Sequence, residues 1–152
     1  MTTESLGAPH ATMSHPWGTS PVGAIAHGVV GVQQTAAAWA TFTVKPRLAT
    51  LRFANLTLPT IRGPISVAAA PGRLEVGVPC NTQATLCLDA VAVAAAETPL
   101  SGALLRLLLD GERVGAVVDG RHLCTAAPVG CAAAPRTLRI VAATAAADAG
   151  QE

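Results

Sequence analysis

The chain has 152 residues, enough for one domain with a moderate core if most of it folds together. Only 12% of the residues are charged and the formal net charge is +1, which argues against nucleic acid or an anionic membrane as a partner. No stretch approaches about eighteen apolar residues without Pro, Gly or a charge, so we expect no transmembrane helix. No basic region followed by an apolar core begins the sequence, so we expect no signal peptide, and cytoplasmic and secreted locations both stay open.

The first predicted element is a polar loop over residues 1–19, where neither helical nor strand periodicity is sustained. Four of its side chains can carry chemistry: Glu4, His10, His15 and Trp17. The loop is therefore the part of the chain in which we look for site residues.

A short apolar helix is predicted next, over residues 20–31. Ser20 before Pro21 is a typical helix start, because the Ser oxygen accepts an orphan N–H and Pro has none to lose. Apolar side chains then recur at helical spacing on one face: Val22, Ile25, Ala26, Val29 and Val30. Three glycines weaken the helix by about 1 kcal/mol each relative to Ala, which indicates close packing against other helices.

From Trp39 onward the hydrophobic period becomes that of a strand, and Pro or Gly turns punctuate the sequence. We predict strands over residues 39–45, 50–54, 55–59, 65–69, 73–78, 84–88, 104–109, 113–118, 121–125 and 137–141. Short strands with no helix between them favour a mainly β fold, an antiparallel β-sandwich preceded by one short helix. We interpret residues 90–96 as a connection and residues 143–152 as a disordered tail.

The four cysteines fall in two pairs with equal spacing, Cys80 with Cys87 and Cys124 with Cys131. They are either buried thiols on strands or local disulfides within each pair, and the second alternative implies an oxidising compartment. The Pro and Gly residues between Cys124 and Cys131 favour closeness of that pair. The spacing is too wide for the usual paired zinc ligands, so we predict no metal site.

Several pieces of the sequence, in this order, resemble the C-terminal end of bacterial-type α-L-rhamnosidases. The pieces are SHPWGTSP (14–21), GVVGV (28–32), WATFTVKP (39–46), LTLPTIRGPI (56–65) and LEVGVPCNTQATLCL (74–88). The resemblance implies that residues 1–32 are the last loop and helix of an (α/α) barrel and that residues 39–142 are the sandwich that follows it. The implied partner is then the catalytic barrel, joined in cis.

The family resembled here hydrolyses terminal α-L-rhamnose with inversion, which needs two carboxyl groups about 6.5–9.5 Å apart. Its general acid lies upstream of the matching region, so the resemblance implies a fragment that is inactive alone, and whether this chain is an enzyme stays open. Glu4 resembles the general base, His15 matches a position that hydrogen-bonds the sugar, and Trp17 suits a wall of the pocket. The resemblance implies a rhamnose-containing glycoside as substrate and no cofactor.

Each assignment has a plainer alternative. Glu4 is otherwise a disordered terminal carboxylate, His15 a loop histidine bonded to backbone, and Trp17 an anchor between barrel and sandwich. For the whole chain, the alternative function is a separate carbohydrate-binding or structural β-sandwich. A sugar platform requires exposed aromatic side chains, and the chain has only two Trp, two Phe and no Tyr.

Overall fold

The computed structural model describes residues 20–89, 105–131 and 136–144, which form a short helical segment and twelve strands in two sheets. The predicted fold class, a mainly β antiparallel sandwich preceded by one short helix, is confirmed. The last strand reaches Thr144, two residues beyond the predicted end of the sandwich. The predicted connection at residues 90–96 and the tail from residue 145 lie outside the described residues.

The helical segment begins at Ser20, as predicted. It consists of an α-helical turn, α1 (Ser20–Ala24), followed directly by a π-helical turn over Ile25–Val29. A single 3₁₀ turn at Ala37–Trp39 later leads the chain into the sandwich.

The first sheet is organised around its longest strand. Its members are β1 (Val32–Gln34), β2 (Thr41–Val44), β6 (Thr82–Asp89), β9 (Ala116–Asp119), β10 (His122–Thr125) and β11 (Val129–Cys131). The order is β1-β2-β6-β10-β9, and β11 pairs with β6 beside β10. The β2–β6 pairing is parallel and the other pairings of the sheet are antiparallel.

The second sheet is antiparallel throughout and lies across the core from the first. Its order is β3 (Ala54–Leu58), β4 (Ile65–Ala70), β5 (Arg73–Val78), β12 (Arg136–Thr144), β7 (Leu105–Leu109) and β8 (Glu112–Val114). Strand alternation points one set of side chains from each sheet into a shared core. The largest fully buried members include Phe42, Val44, Ile65, Leu74, Val76, Leu86 and Leu107. Burial of each such side chain contributes about 1.5–3 kcal/mol, so this interior is the main source of stability.

Two strand predictions need correction, and two short strands were not predicted. Residues 50–53 are not a strand, because β4 ends at Ala70 and turns away at Pro71, which leaves them no partner beyond the Ala54–Ala69 pair. The single strand predicted at 113–118 is two strands, since the chain passes at Gly115 from β8 in one sheet to β9 in the other. Strands β1 and β11, of three residues each, were not predicted.

Of the two alternatives for the cysteines, buried thiols or local disulfides, neither describes Cys87, because it bonds Cys124. These two residues are direct partners in the β6–β10 pairing, with their Cα atoms 4.0 Å apart. Cys87 lies between the core residues Leu86 and Leu88, so the disulfide occupies the opposite face of the first sheet. Both cysteines are nevertheless buried, at 0% and 2% exposure, and Cys80 is not part of a disulfide.

Candidate functional site

The three site residues predicted from the sequence, Glu4, His15 and Trp17, lie outside the described residues. What the structure does describe is the helical segment that follows them directly in the sequence. The geometry of this segment decides how a site on the preceding loop would be held.

The helical segment buries only part of its apolar face. Ala26 and Val30 are buried at 4% and 0% exposure, whereas Val22 and Ile25 are 66% and 50% exposed. A side chain built at Gly23 or Gly28 would meet no heavy atom within 4 Å in the described part of the chain. The close packing that the glycines predict is thus not provided by the described residues, and the first turn of the helix presents an apolar surface.

The C-terminal end of this helix is fixed to the sandwich by backbone hydrogen bonds. The Arg47 amide donates to the Val29 carbonyl at 2.8 Å, and the Lys45 amide donates to the Gly31 carbonyl at 3.0 Å. Gly31 has a φ of +71°, and a Cβ there would collide with the Lys45 carbonyl, so only glycine fits this crossing. The exposed helix face is therefore held in a fixed position relative to β2.

His27 supports the same junction. Its Nδ1 donates to the Val32 carbonyl at 2.8 Å while the ring stays exposed. His27 is therefore a structural residue of the junction. His10 lies outside the described residues.

A second fixed corner joins two of the sequence pieces that carry the resemblance. Arg62 donates from Nε to the Ala38 carbonyl at 2.6 Å and from a terminal guanidinium nitrogen to the Asn81 carbonyl at 2.9 Å. Ala38 and Trp39 both have positive φ, at +53° and +59°, a conformation that non-glycine residues adopt at a cost of about 1–3 kcal/mol. The arginine holds this turn in place.

Trp39 itself is half-buried and packs edge-on against Phe42, with ring centroids 6.3 Å apart. It also contacts the core cluster, so it is an anchor of the sandwich. Sequence reasoning missed Arg62, because no motif marks an arginine whose partners are backbone carbonyls of remote turns.

Two ion pairs lie on the same face of the first sheet as the disulfide, away from the core. Arg121 donates two hydrogen bonds to the buried Asp89 carboxylate, at 3.0 and 2.5 Å. Lys45 pairs with Asp119 across the two strands that the disulfide joins. The hydrogen bond and the charge of Lys45 lower the pKa of the Asp119 carboxyl. His122, buried at 4% exposure, hydrogen-bonds the Pro46 carbonyl through Nε2 at 3.0 Å.

These polar groups are paired with one another, which is the arrangement of a structural network. Within the described ranges, no group of three or more metal-ligating side chains comes together. The same part of the chain contains no helix with the length and apolarity to cross a bilayer.

Comparison with known proteins shows which domain the sandwich resembles. Residues 31–101 match the family model for the bacterial alpha-L-rhamnosidase C-terminal domain. Among solved structures, that of alpha-L-rhamnosidase from Dictyoglumus thermophilum matches over 86% of this chain, with a TM-score of 0.61 and 13% identity, and thus shares its fold. The present chain covers 14% of the length of that enzyme chain. A search of curated proteins gives no significant match.

The predicted resemblance to the C-terminal part of α-L-rhamnosidases is therefore confirmed. The sandwich is thus similar in sequence to the C-terminal domain of bacterial α-L-rhamnosidases over residues 31–101 and shares its fold with a solved α-L-rhamnosidase. The family match begins at Gly31, directly after the helical segment, and includes the corner made by Trp39 and Arg62.

Proposed function

We propose that this chain is the C-terminal portion of an inverting α-L-rhamnosidase, in which the sandwich supports a helical catalytic barrel and is inactive alone. The observation that carries the proposal is the apolar face of the helical segment, where Val22 and Ile25 are exposed although the helix end is fixed to the sandwich. A fixed apolar surface of this kind suits a helical neighbour, because burial would remove both side chains from water.

The family and structure matches support the same assignment, since the matched domain is the C-terminal one and the chain covers a small share of a complete enzyme. We place the helical segment at the end of the catalytic barrel and the loop of residues 1–19 at the sugar pocket. In this proposal Glu4 is the general base, His15 offers one donor and one acceptor to a sugar diol, and Trp17 forms part of the wall.

The substrate in this proposal is a terminal α-L-rhamnoside, bound mainly by the barrel. Catalysis by an inverting carboxyl pair fails when one partner is missing. We therefore expect the purified 152-residue chain to release no product from para-nitrophenyl α-L-rhamnoside.

The helix face gives the sharper test. Val22→Asp should change the free energy of unfolding of the isolated chain by less than about 0.5 kcal/mol, because the side chain is 66% exposed. In a polypeptide that includes the catalytic barrel, the same change would bury a charge and should reduce both thermal stability and rhamnosidase activity. Val118→Asp, at a site 78% exposed on β9, is the matched control and should be tolerated in both contexts.

Two results would contradict the proposal. One is turnover by the isolated chain at the rate of a complete rhamnosidase. The other is an equal effect of Val22→Asp and Val118→Asp in the longer polypeptide, which would show that the helix face meets no partner.

A further inference from the structure

The outer face of the second sheet carries a groove of about 390 Å³ that the proposed function does not use. Strands β3, β4 and β5 form it. Its outward-facing lining residues are Asn55, Thr57, Ser66, Ala68 and Glu75, together with Gly77, which has no side chain. These residues alternate with the core residues of the same strands, so the groove lies on the side of the sheet away from the sandwich interior.

The groove exists because the middle of this face is built from small residues. Ser66 is the direct strand partner of Gly77, and a Cβ at Gly77 would collide with the Ser66 hydroxyl oxygen. Ala68, two residues further along β4, adds only a methyl group to the floor. Larger side chains on the neighbouring strands therefore stand above a shallow trough.

One end of the trough carries an exposed aromatic ring. Phe53 continues the outward series of Asn55 and Thr57, and it is 67% exposed. It lines a second cavity of about 190 Å³ together with Asn55, Ala68, Arg73 and Glu75, so the two cavities share a wall and form one continuous groove. An apolar ring in solvent beside a polar trough is the combination that a sugar chain requires.

The polar lining is mostly uncharged, and the two charged residues that line it, Arg73 and Glu75, form an ion pair. Arg73 donates to Glu75 at 3.0 Å, and the Nε of Arg139 lies 3.7 Å from the same carboxylate oxygen. The side chains of Asn55, Thr57 and Ser66 are exposed on this face and offer an amide and two hydroxyls to a ligand. A site with amide and hydroxyl groups, a neutralised ion pair and one aromatic face suits a polyhydroxylated, uncharged molecule.

We propose that this groove binds a short neutral oligosaccharide, with one sugar ring stacked on Phe53 and the next hydrogen-bonded between Asn55, Ser66 and Glu75. The volume lies within the range of about 300–1,000 Å³ that small-molecule sites occupy. The groove is on the second sheet, whereas the proposed catalytic contact uses the helical segment. Sugar binding in this groove does not depend on whether the chain is part of a complete hydrolase.

The test is a titration of the isotopically labelled 152-residue chain, followed by its amide chemical shifts, with cellotriose, mannotriose, xylotriose, α-L-rhamnobiose and trigalacturonate at millimolar concentration. At least one neutral sugar should shift the amides of β3, β4 and β5. Phe53→Ala should weaken that binding by about tenfold, the loss expected when a stacking contact is removed. Ala68→Leu should abolish it by filling the trough, and Val118→Ala on the other sheet should leave it unchanged.

The same spectra show whether each variant is folded, so loss of binding is separated from loss of structure. The proposal is overturned if no neutral sugar shifts these amides, if the shifts lie elsewhere on the molecule, or if Ala68→Leu binds like the parent chain. Tighter binding of trigalacturonate than of every neutral sugar would also overturn it, because the groove would then be an acidic-ligand site. Val22→Asp, which tests the catalytic proposal, should not change this titration.

Discussion

Removal of the disulfide should destabilise the fold strongly. The size of this loss of stability follows from the length of the chain segment that the bond closes into a loop. Cys87 and Cys124 are 37 residues apart. Closing a loop of this length removes about 13 cal/mol/K of entropy from the unfolded chain, or about 4 kcal/mol at 25 °C. The double variant Cys87→Ala with Cys124→Ala should therefore lower the free energy of unfolding by about 4 kcal/mol and Tm by about 8–16 °C.

Thermal and urea unfolding, followed by circular dichroism on protein purified without reductant, measure this difference. Cys80→Ala is the matched control, since Cys80 is not part of a disulfide, and it should unfold close to the parent chain. Adding a reductant should bring the parent chain to the stability of the double variant. If the double variant unfolds within about 1 kcal/mol of the control, the entropy argument or the bond itself is wrong.

Trypsin offers an independent test of the connectivity. Cleavage after arginine places Cys80 and Cys87 in one peptide, residues 74–106, and both remaining cysteines in another, residues 122–136. The Cys87–Cys124 bond links these two peptides without reductant. Local bridges, as the spacing of the cysteines suggested, would leave the two peptides separate, and that result would contradict the strand pairing of β6 with β10.

Two further predictions concern single residues of the junction and the first sheet. Gly31→Ala should cost at least about 2 kcal/mol in urea unfolding, because φ is positive and the new Cβ collides with the Lys45 carbonyl. Gly23→Ala, on the open side of the helix, should instead stabilise by up to about 1 kcal/mol, and an equal effect of both changes would contradict this. The pKa of Asp119 is lowered, so its ion pair stabilises the fold at pH above the unfolded-state pKa of about 3.9 and loses that effect as the pH falls further. As the pH is lowered from about 5 to about 2, the urea midpoint of Asp119→Asn should consequently fall less than that of the parent chain. If the two midpoints fall in parallel with pH, the ion pair of Lys45 with Asp119 is not a source of acid lability.

The parts of the fold that depend on neighbouring residues could be predicted from the sequence. Pro71-Gly72 and Asp110-Gly111 mark turns between adjacent antiparallel strands, and the structure has both turns. In the second turn both residues have positive φ, as the short hairpin connection requires. The change from helical to strand periodicity at Trp39 was equally local, which is why the fold class was correct.

Features that depend on remote residues were not predictable in the same way. The passage from one sheet to the other at Gly115 leaves the local alternation almost unchanged, so residues 113–118 look like one strand. The pairing of Cys87 with Cys124 depends on which strands become neighbours, and equal spacing of cysteines carries no information about that. The failure at residues 50–53 has the same origin, since a β pattern forms a strand only where a partner strand is present.

The same distinction between local and remote information applies to the candidate sites. Glu4, His15 and Trp17 were proposed from a resemblance and lie outside the described residues, so their roles stay predictions. Phe53 was assigned to a strand that does not form, and its exposure beside a groove depends on the small side chains of two other strands.

The pairing of the strands also sets when the chain can fold during its synthesis. The parallel partner of β2 is β6, which follows only after three strands of the other sheet have been made. Strand β5 likewise waits for β12, which ends at Thr144. The pairings β1–β2, β3–β4 and β4–β5 can close as the first half of the chain emerges from the ribosome, but pairings between remote segments must wait and form slowly. The exposed edges of β2 and β5 during this interval make the nascent chain dependent on protection from aggregation until its last strand is complete.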